Sequence, residues 1–284
     1  MPGDVTPLAG LREHVGKSVE AADVVTAAGV ARLAATFGID PPAAAPGDPL
    51  PPGWHAPFFP PLHGPQNMRE DGQPAGGFLP AIPLPVQRLR GETTRYPGTL
   101  HIGDRMRRIS EIAAIDIDET ADGGPVVALT FRQTIHTPAG AAVIEDRRFL
   151  YYGTAYRLDT SAPPLPAAAD WERIVVPDPV TMFRFSAVRF NSHRIHYDRD
   201  YATRVEGHPG LIVQGTMIGH LLVEMACENG PGAPLSRFDF RIHKPIYDTG
   251  PFALRGAASA GGAVFWALDA DGVVSMTADA AYGG

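Results

Sequence analysis

The chain of 284 residues contains a single cysteine, Cys227, so no intramolecular disulfide can form and a reducing compartment, the cytoplasm, is expected. Cys227 lies in an apolar stretch, where a lone cysteine reads as a small buried hydrophobe rather than a nucleophile. Basic residues are also in short supply. The 24 Lys and Arg stand against 31 Asp and Glu, a formal net charge of −7, which argues against a general nucleic-acid binder. Two local basic clusters, Arg88 to Arg95 and Met106 to Arg108, read as solvated faces. No run approaches the roughly 20 apolar residues of a membrane span, so no membrane partner is expected. The N-terminus carries Asp4, Glu13, Glu20 and Asp23 and no continuous apolar segment, unlike a signal or transit peptide. A Gly-x-Ser-x-Gly elbow is absent, which argues against a serine hydrolase. Gly76-Gly77 does not sit between a strand and a helix, so a dinucleotide fingerprint is not supported.

What is present suits a globular protein with a substantial core: 44% hydrophobic residues and 19% charged. A helix is predicted over Ala21 to Phe37, closed by Gly38. A Pro- and Gly-rich passage follows from Pro41 to about Gly98, with Pro51-Pro52-Gly53-Trp54 and Phe58-Phe59-Pro60-Pro61; its aromatic content marks an ordered covering loop. Strand alternation dominates Thr99 to Tyr152, cut by turns at Asp122-Gly123-Gly124 and Pro138-Ala139-Gly140. The run Ser161 to Ala169 reads as a linker, dividing the chain into a domain over 1–160 and another over 170–284.

The second half opens with Asp178-Pro179, a cap residue followed by proline at the first helical position, and predicts a short helix to about Phe190. Ile212 to Ala226 is apolar almost all round, the pattern of a helix wrapped by other structure. Within it, His220 and Glu224 are four apart and read as a buried pair. Phe238, Phe240 and Ile242 alternate with polar residues, and Gly261-Gly262 and Asp271-Gly272 divide the remainder into further strands. Leu100 to Met106 and Ile246 to Leu254 open the two strand runs alike. Each half is thus helix first and antiparallel strands after, an α+β pattern.

The densest polar cluster is Asn191-Ser192-His193-Arg194-Ile195-His196-Tyr197-Asp198, followed by Asp200-Tyr201-Ala202. Downstream, His208-Pro209-Gly210-Leu211-Ile212-Val213-Gln214-Gly215 leads into the apolar helix. Two histidines alone are a poor metal site, since zinc usually takes three or four protein ligands, and Asp198 and Asp200 are as well explained by helix capping.

The segment resembles the hydratase-2 motif of the MaoC-like dehydratases, Asp-x-Asn-Pro-x-His followed by Asp and Tyr-Ala. The fuller likeness is to the two-domain branch of mesaconyl-CoA and itaconyl-CoA hydratases and mitochondrial type 2 hydroxyacyl-thioester dehydratase. It runs from Phe185-Ser186-Ala187 through Phe190 to Asp198, then Glu206-Gly207 and Pro209-Gly210-Leu211, and extends to Gly76-Gly77-Phe78-Leu79-Pro80 and Pro83-Leu84-Pro85 in the first half. The resemblance implies a double hot-dog fold, two antiparallel sheets each wrapped around a central helix. It also implies reversible hydration of an α,β-unsaturated, or dehydration of a 3-hydroxyacyl, CoA thioester, with no cofactor and no metal.

Carried over by position, the resemblance makes His196 the catalytic histidine. It puts Asn191 where an aspartate is usual, His193 where an asparagine is usual, and Gly215 at the helix start whose N–H holds the thioester carbonyl. Gln214, Arg194 and Tyr197 join Gly215 as substrate-binding residues. The chemistry fits these groups. Imidazole can exchange protons near neutral pH, an amide can only orient water, and a helix N-terminus can stabilise enolate charge. The chain departs from the branch at Gln214-Gly215-Thr216, where His-Gly-Pro is typical, and at Val86-Gln87-Arg88-Leu89-Arg90, where aromatics are expected. Both leave the acyl group open. A non-catalytic acyl-CoA-binding module and a thioesterase are the alternative functions. The first half, having no such cluster, is expected to wall the acyl pocket and CoA tunnel; one chain then suffices for one site, and homodimerisation stays open.

Overall fold

In the computed structural model, which describes residues 8–119, 121–166 and 168–283, ten antiparallel strands form one continuous sheet. The N-terminal Asp4, and Ala167 of the expected linker, lie outside the described residues. The first half contributes β1 (Ser18–Val24), β2 (Val86–Arg95), β3 (Arg105–Asp118), β4 (Val126–Thr137) and β5 (Gly140–Tyr152). The second contributes β6 (Trp171–Val175), β7 (Leu235–Ile242), β8 (Phe252–Ser259), β9 (Gly262–Leu268) and β10 (Val274–Tyr282). Their order is β1-β3-β4-β5-β2-β7-β10-β9-β8-β6. Counted inward from either edge, each half places its own strands first, third, fourth, fifth and second. The two similar strand openings take equivalent places, before β3 and β8, and each is held by an isolated bridge, Pro49 to His101 and Ile212 to Tyr247.

Three α-helices accompany the sheet among the described residues. α1 (Ala27–Phe37) is capped by Thr26, whose hydroxyl accepts the Gly29 N–H, and ends on left-handed Gly38. α2 (Pro179–Val188) is capped by Asp178, with proline in its first turn. α3 (Gly215–Glu228) is buried on nearly every side, from Met217 to Ala226. One core cluster takes Val30 and Leu33 of α1, Met182 and Phe185 of α2, Leu222 and Met225 of α3, and Phe238 and Phe240 of β7. The two halves thus share this core, and each such side chain contributes about 1.5–3 kcal/mol on burial.

Three expectations change. Residues 18–24 are not the start of a helix: they pair with β3 from Ser18–Glu111 to Val24–Arg105, and Thr26 starts the helix only beyond them. β2 lay hidden inside the Pro- and Gly-rich passage, its polar stretch Gly91-Glu92-Thr93-Thr94 buried between β5 and β7. Cys227, in the last turn of α3, is exposed rather than buried. The rest of the passage is an ordered cover, with Leu50, Trp54 and Phe59 in the core. His220 and Glu224 stand 3.5 Å apart without a hydrogen bond, and His220 stacks on Phe37 at 5.3 Å.

The halves meet at the seam between β2 and β7, in register from Gly91–Arg241 to Arg95–Arg237. On one face Arg148 bonds Thr93 at 2.6 Å and Asp239 at 2.8 Å, while Thr93 bonds Asp239 at 2.8 Å. Gly91 is required here by close approach: a Cβ would lie 2.1 Å from the Phe240 carbonyl oxygen and 2.8 Å from the Arg148 guanidinium. Gly91→Ala should therefore cost about 2–4 kcal/mol, because the backbone of the neighbouring strand β7 cannot give way cheaply. Chemical denaturation checks this, and an unchanged midpoint would refute the close approach.

Candidate active site

The polar cluster lies between α2 and α3. Phe190 adopts a left-handed conformation (φ 53°), which turns the chain out of α2. Asn191 N–H then donates to the Ser186 carbonyl at 2.7 Å, and Asn191 Oδ1 accepts the His193 N–H at 3.1 Å. A single 3-10 turn, Arg194–His196, follows. The first half clamps this segment. Arg194 N–H donates to the Asp71 carbonyl at 2.8 Å and Ser192 Oγ to the Gly72 carbonyl at 2.7 Å. At Gly72 (φ 80°) a Cβ would sit 2.0 Å from the Ser192 carbonyl oxygen.

His196 is buried, and its Nδ1 lies 2.7 Å from the Ile212 carbonyl oxygen. A carbonyl can only accept, so Nδ1 carries the proton and Nε2 keeps its lone pair. Ile212 N–H returns a bond to the Ile195 carbonyl at 3.0 Å, which locks the ring to the strand-like lead into α3. Burial pushes the imidazole pKa down to about 4, only partly opposed by the Ile212 carbonyl. His193 stands edge-on to it, ring centroids 5.4 Å apart, and is pushed down to about 3 by burial and by His196. The amide of Gln73 approaches His193 Nε2 at 3.4 Å and is itself anchored on Asp71. Both rings are neutral at physiological pH.

Gly215 and Thr216 open α3, and their N–H groups make no hydrogen bond among the described residues. They face the same cavity as His196, as free donors at the positive end of a buried helix. Gly215 also serves packing, since a Cβ there would meet Ile242 at 2.7 Å. Gln214 also lines the cavity: its Nε2 donates to the Met182 carbonyl and to Ser186 Oγ, both at 2.8 Å, tying α2 to α3, while its buried Oε1 has no partner among the described residues. Arg194 pairs with Asp198 at 2.8 Å and lies 4.0 Å over the Tyr201 ring, and Tyr197 donates to the Ser192 carbonyl. Neither Arg194 nor Tyr197 lines the cavity. Asp198 caps the following turn by accepting the Tyr201 N–H, whereas Asp200 makes no capping bond.

The cavity, about 1320 Å³, takes its walls from both halves. Asn191, His193, His196 and Gly215 line it, as do Gln73, Arg88, Arg90, Lys244, the buried His55 and Glu145, and the half-buried Arg108, Arg147 and Arg189. Arg88, Arg90 and Arg108 belong to the clusters expected to be solvated faces. Gln73, His55, Glu145 and Arg147 carry no local motif. Only Arg189, next to the polar cluster, had a neighbour to give it away. Among the described residues no group of three or more His, Cys, Asp or Glu could hold a metal ion, and no helix is long and apolar enough to cross a membrane.

The sheet and helices superpose on HtdX of Mycobacterium tuberculosis with a TM-score of 0.67 at 17% identity, over 94% of this chain and all (100%) of that one. A conserved hypothetical protein of the same organism, described as a double hotdog fold, gives 0.55 at 13% identity, over 94% and 96%. The fold is a double hot-dog. The family described as hydroxyacyl-thioester dehydratase type 2 matches residues 53–248. The mesaconyl-C(4)-CoA hydratase of Chloroflexus aurantiacus is 34% identical over 275 residues, 95% of this chain and 97% of that one. The chain belongs to the hydroxyacyl-thioester dehydratase type 2 family; it is a MaoC-like hydro-lyase of two hot-dog halves.

The depressed histidines have a measurable sign. The unfolded chain protonates His196 near 6.5 and the folded one near 4, so their stabilisation is complete above about 6.5 and is lost as pH falls toward 4. Nitrogen-15 NMR should show His196 as the Nδ1–H tautomer, unprotonated down to about pH 5. A midpoint near 6.5 would contradict the buried ring.

Proposed function

We propose that the protein adds water to, and removes it from, the α,β double bond of an acyl-CoA thioester, with His196 moving the proton. The observation that carries this reading is the neutral His196 ring, its Nδ1 held by the Ile212 carbonyl, beside the free N–H groups of Gly215 and Thr216 in one cavity. In hydration, Nε2 takes a proton from water as the water oxygen bonds to Cβ. The double-bond electrons move to the thioester oxygen, where the α3 N-terminus meets the new charge. The enolate then collapses and Cα takes the proton back from His196, so no net proton is consumed. Burial makes the imidazolium a stronger acid than a free one, which favours this second transfer. Dehydration is the reverse.

Asn191 has no proton to exchange, but its Nδ2, without a partner among the described residues, can orient the attacking or departing water. Neutral His193, steadied by Gln73, adds a second polar contact. Arg88 and Arg90 on the cavity wall supply positive charge for CoA phosphates, Lys244 beside them being paired with Asp269. The relative named mesaconyl-C(4)-CoA hydratase supports the CoA thioester. In this reading the first half is non-catalytic and walls the acyl pocket. The lone cysteine supports a cytoplasmic setting. One chain completes one site, and homodimerisation is not needed for it.

An amide at Asn191 also suits a module that binds the thioester without turnover, and the same assay separates the two. His196→Ala should lower kcat by about 10²–10⁴-fold with little change in melting temperature, read from loss of enoyl-thioester absorbance and gain of one water by mass. Asn191→Ala should cost less, about tenfold to a hundredfold, because positioning is lost while the base remains. Full activity of the His196 variant would end the assignment. Tight acyl-CoA binding without any water gain would favour the binding module, and release of free thiol a thioesterase.

A further inference from the structure

A hairpin of the first half, Asn67 to Ala75, reaches the polar cluster with a side chain whose hydrogen-bond sense decides what His193 can do. Its two arms meet through Ala75 N–H on the Asn67 carbonyl at 2.7 Å and Arg69 N–H on the Gln73 carbonyl at 2.8 Å. Gly72 N–H closes the turn on the Arg69 carbonyl at 3.0 Å. Asp71-Gly72 specifies that turn: Asp71 Oδ1 accepts the Gln73 N–H at 2.8 Å, and Gly72 takes the left-handed conformation (φ 80°). Ser192 Oγ and Arg194 N–H bond the Gly72 and Asp71 carbonyls, so the hairpin is fixed to the two residues that flank His193. Gln73 therefore meets His193 from a rigid base.

The sense of each bond follows from its ends. Asp71 Oδ2 lies 3.1 Å from the Gln73 side-chain amide and also accepts from Arg69 at 3.0 Å. A carboxylate only accepts, so the amide group turned toward it is the NH2. The second hydrogen of that NH2 is left for His193 Nε2, 3.4 Å away. An Nε2–H there would set two donors against each other, so Nε2 keeps its lone pair and the ring proton sits on Nδ1. The two neutral tautomers of imidazole lie close in energy, and one hydrogen bond is enough to choose between them. Nδ1 of His193 has no hydrogen-bond partner among the described residues, and the ring lines the cavity.

We infer that Gln73 is a positioning residue: it holds His193 as the Nδ1–H tautomer, so that His193 donates to the same oxygen from which His196 Nε2 accepts. The two rings stand edge to face with centroids 5.4 Å apart. One oxygen spans such a gap, since two hydrogen bonds of about 2.9 Å reach roughly 5.8 Å. A hydrogen-bonded chain then crosses between the halves, from Gln73 through His193, the reacting oxygen and His196 to the Ile212 carbonyl, and every donor in it points the same way. In hydration the water turns one lone pair to His193 and one proton to His196, which leaves its second lone pair for Cβ. The Asn191 amide shares the first lone pair with His193. In dehydration the same Nδ1–H supports the departing oxygen. His193 exchanges no proton itself, because losing Nδ1–H would leave an imidazolate. The opposite tautomer would aim a lone pair at the lone pair of the oxygen, and the orientation would be lost.

The role in turnover rests on the hydration reading, whereas the tautomer does not, and the two are measured separately. Nitrogen-15 NMR, with His193 assigned from a His193→Asn variant, should show wild-type His193 protonated at Nδ1. Gln73→Met removes the donor at similar length and should give a mixture of tautomers, with kcat down about tenfold and KM changed less than about threefold. Gln73→Glu offers only acceptors; at about pH 8.5, where the ring is neutral, it should move the proton to Nε2 and lower kcat at least as far. Gln73→Lys is again a donor and should keep the Nδ1–H form and hold kcat within about threefold of wild type. A residue that served only the hairpin would lower the melting temperature in all three variants and leave the His193 tautomer alone. Wild-type His193 found as the Nε2–H form, or Gln73→Met without effect on the tautomer, overturns the inference whatever becomes of hydration. Unchanged kcat in a Gln73→Met protein whose tautomers have mixed overturns the positioning role and leaves hydration intact. If no enoyl-CoA gains water with wild type yet the tautomer follows the series, hydration fails and the hold of Gln73 on His193 stands.

Discussion

The seam between β2 and β7 is the constraint on which the rest of the molecule depends. Two five-stranded sheets become one floor only because Gly91 lets the β2 backbone pass against the Phe240 carbonyl. Phe240 in turn supports α3, where Gly219 is close enough that a Cβ would touch the ring at 2.9 Å. With α3 held there, its N-terminus points at the residues that precede it, and the cover from Pro51 to Phe59 can rest on the first half while contacting the second. Gly53 and Trp54 meet Val223 and His220 of α3. The cavity is the space these layers leave between the halves.

Within that space the environment does most of the work on His196. A histidine in water would be a mixture of tautomers and partly protonated at neutral pH. Here one hydrogen bond to the Ile212 carbonyl selects the tautomer, and burial removes the charged form. The same carbonyl belongs to the segment that leads into α3, so the base and the free N–H groups of Gly215 and Thr216 move as one body. The site is preorganised by backbone, and its side chains are few.

Much of this was legible in the sequence because it is written locally. Asp178-Pro179, the all-round apolar run into α3, the hairpin glycines and the spacing from Asn191 to His196 each specify structure within a few residues. What escaped depends on partners far away in the chain. β2 carries Arg88, Arg90, Glu92 and Arg95, a pattern that reads as loop until β5 and β7 bring Arg147, Arg148 and Asp239 to its polar residues. β1 was absorbed into the helix prediction because Ala21 and Ala22 suit either state, and pairing with β3 decides between them. Gln73 meets His193 across 120 positions of sequence. Conversely, Arg194 and Tyr197 adjoin the site without lining the cavity, since a 3-10 turn sends neighbouring side chains in directions roughly 120° apart.

The identical strand order of the two halves also has a consequence for change over time. In a dimer of identical subunits, every substitution is made twice, once on each side of the axis, and an alteration that spoils one site spoils both. A chain that contains both halves is free of that coupling. Here the second half holds a hydrogen-bonded imidazole beside a helix N-terminus, while the first lines the same cavity with His55, Glu145 and Arg147. Each face could therefore be altered on its own, the first without disturbing the proton-transfer apparatus and the second without disturbing the charged wall opposite.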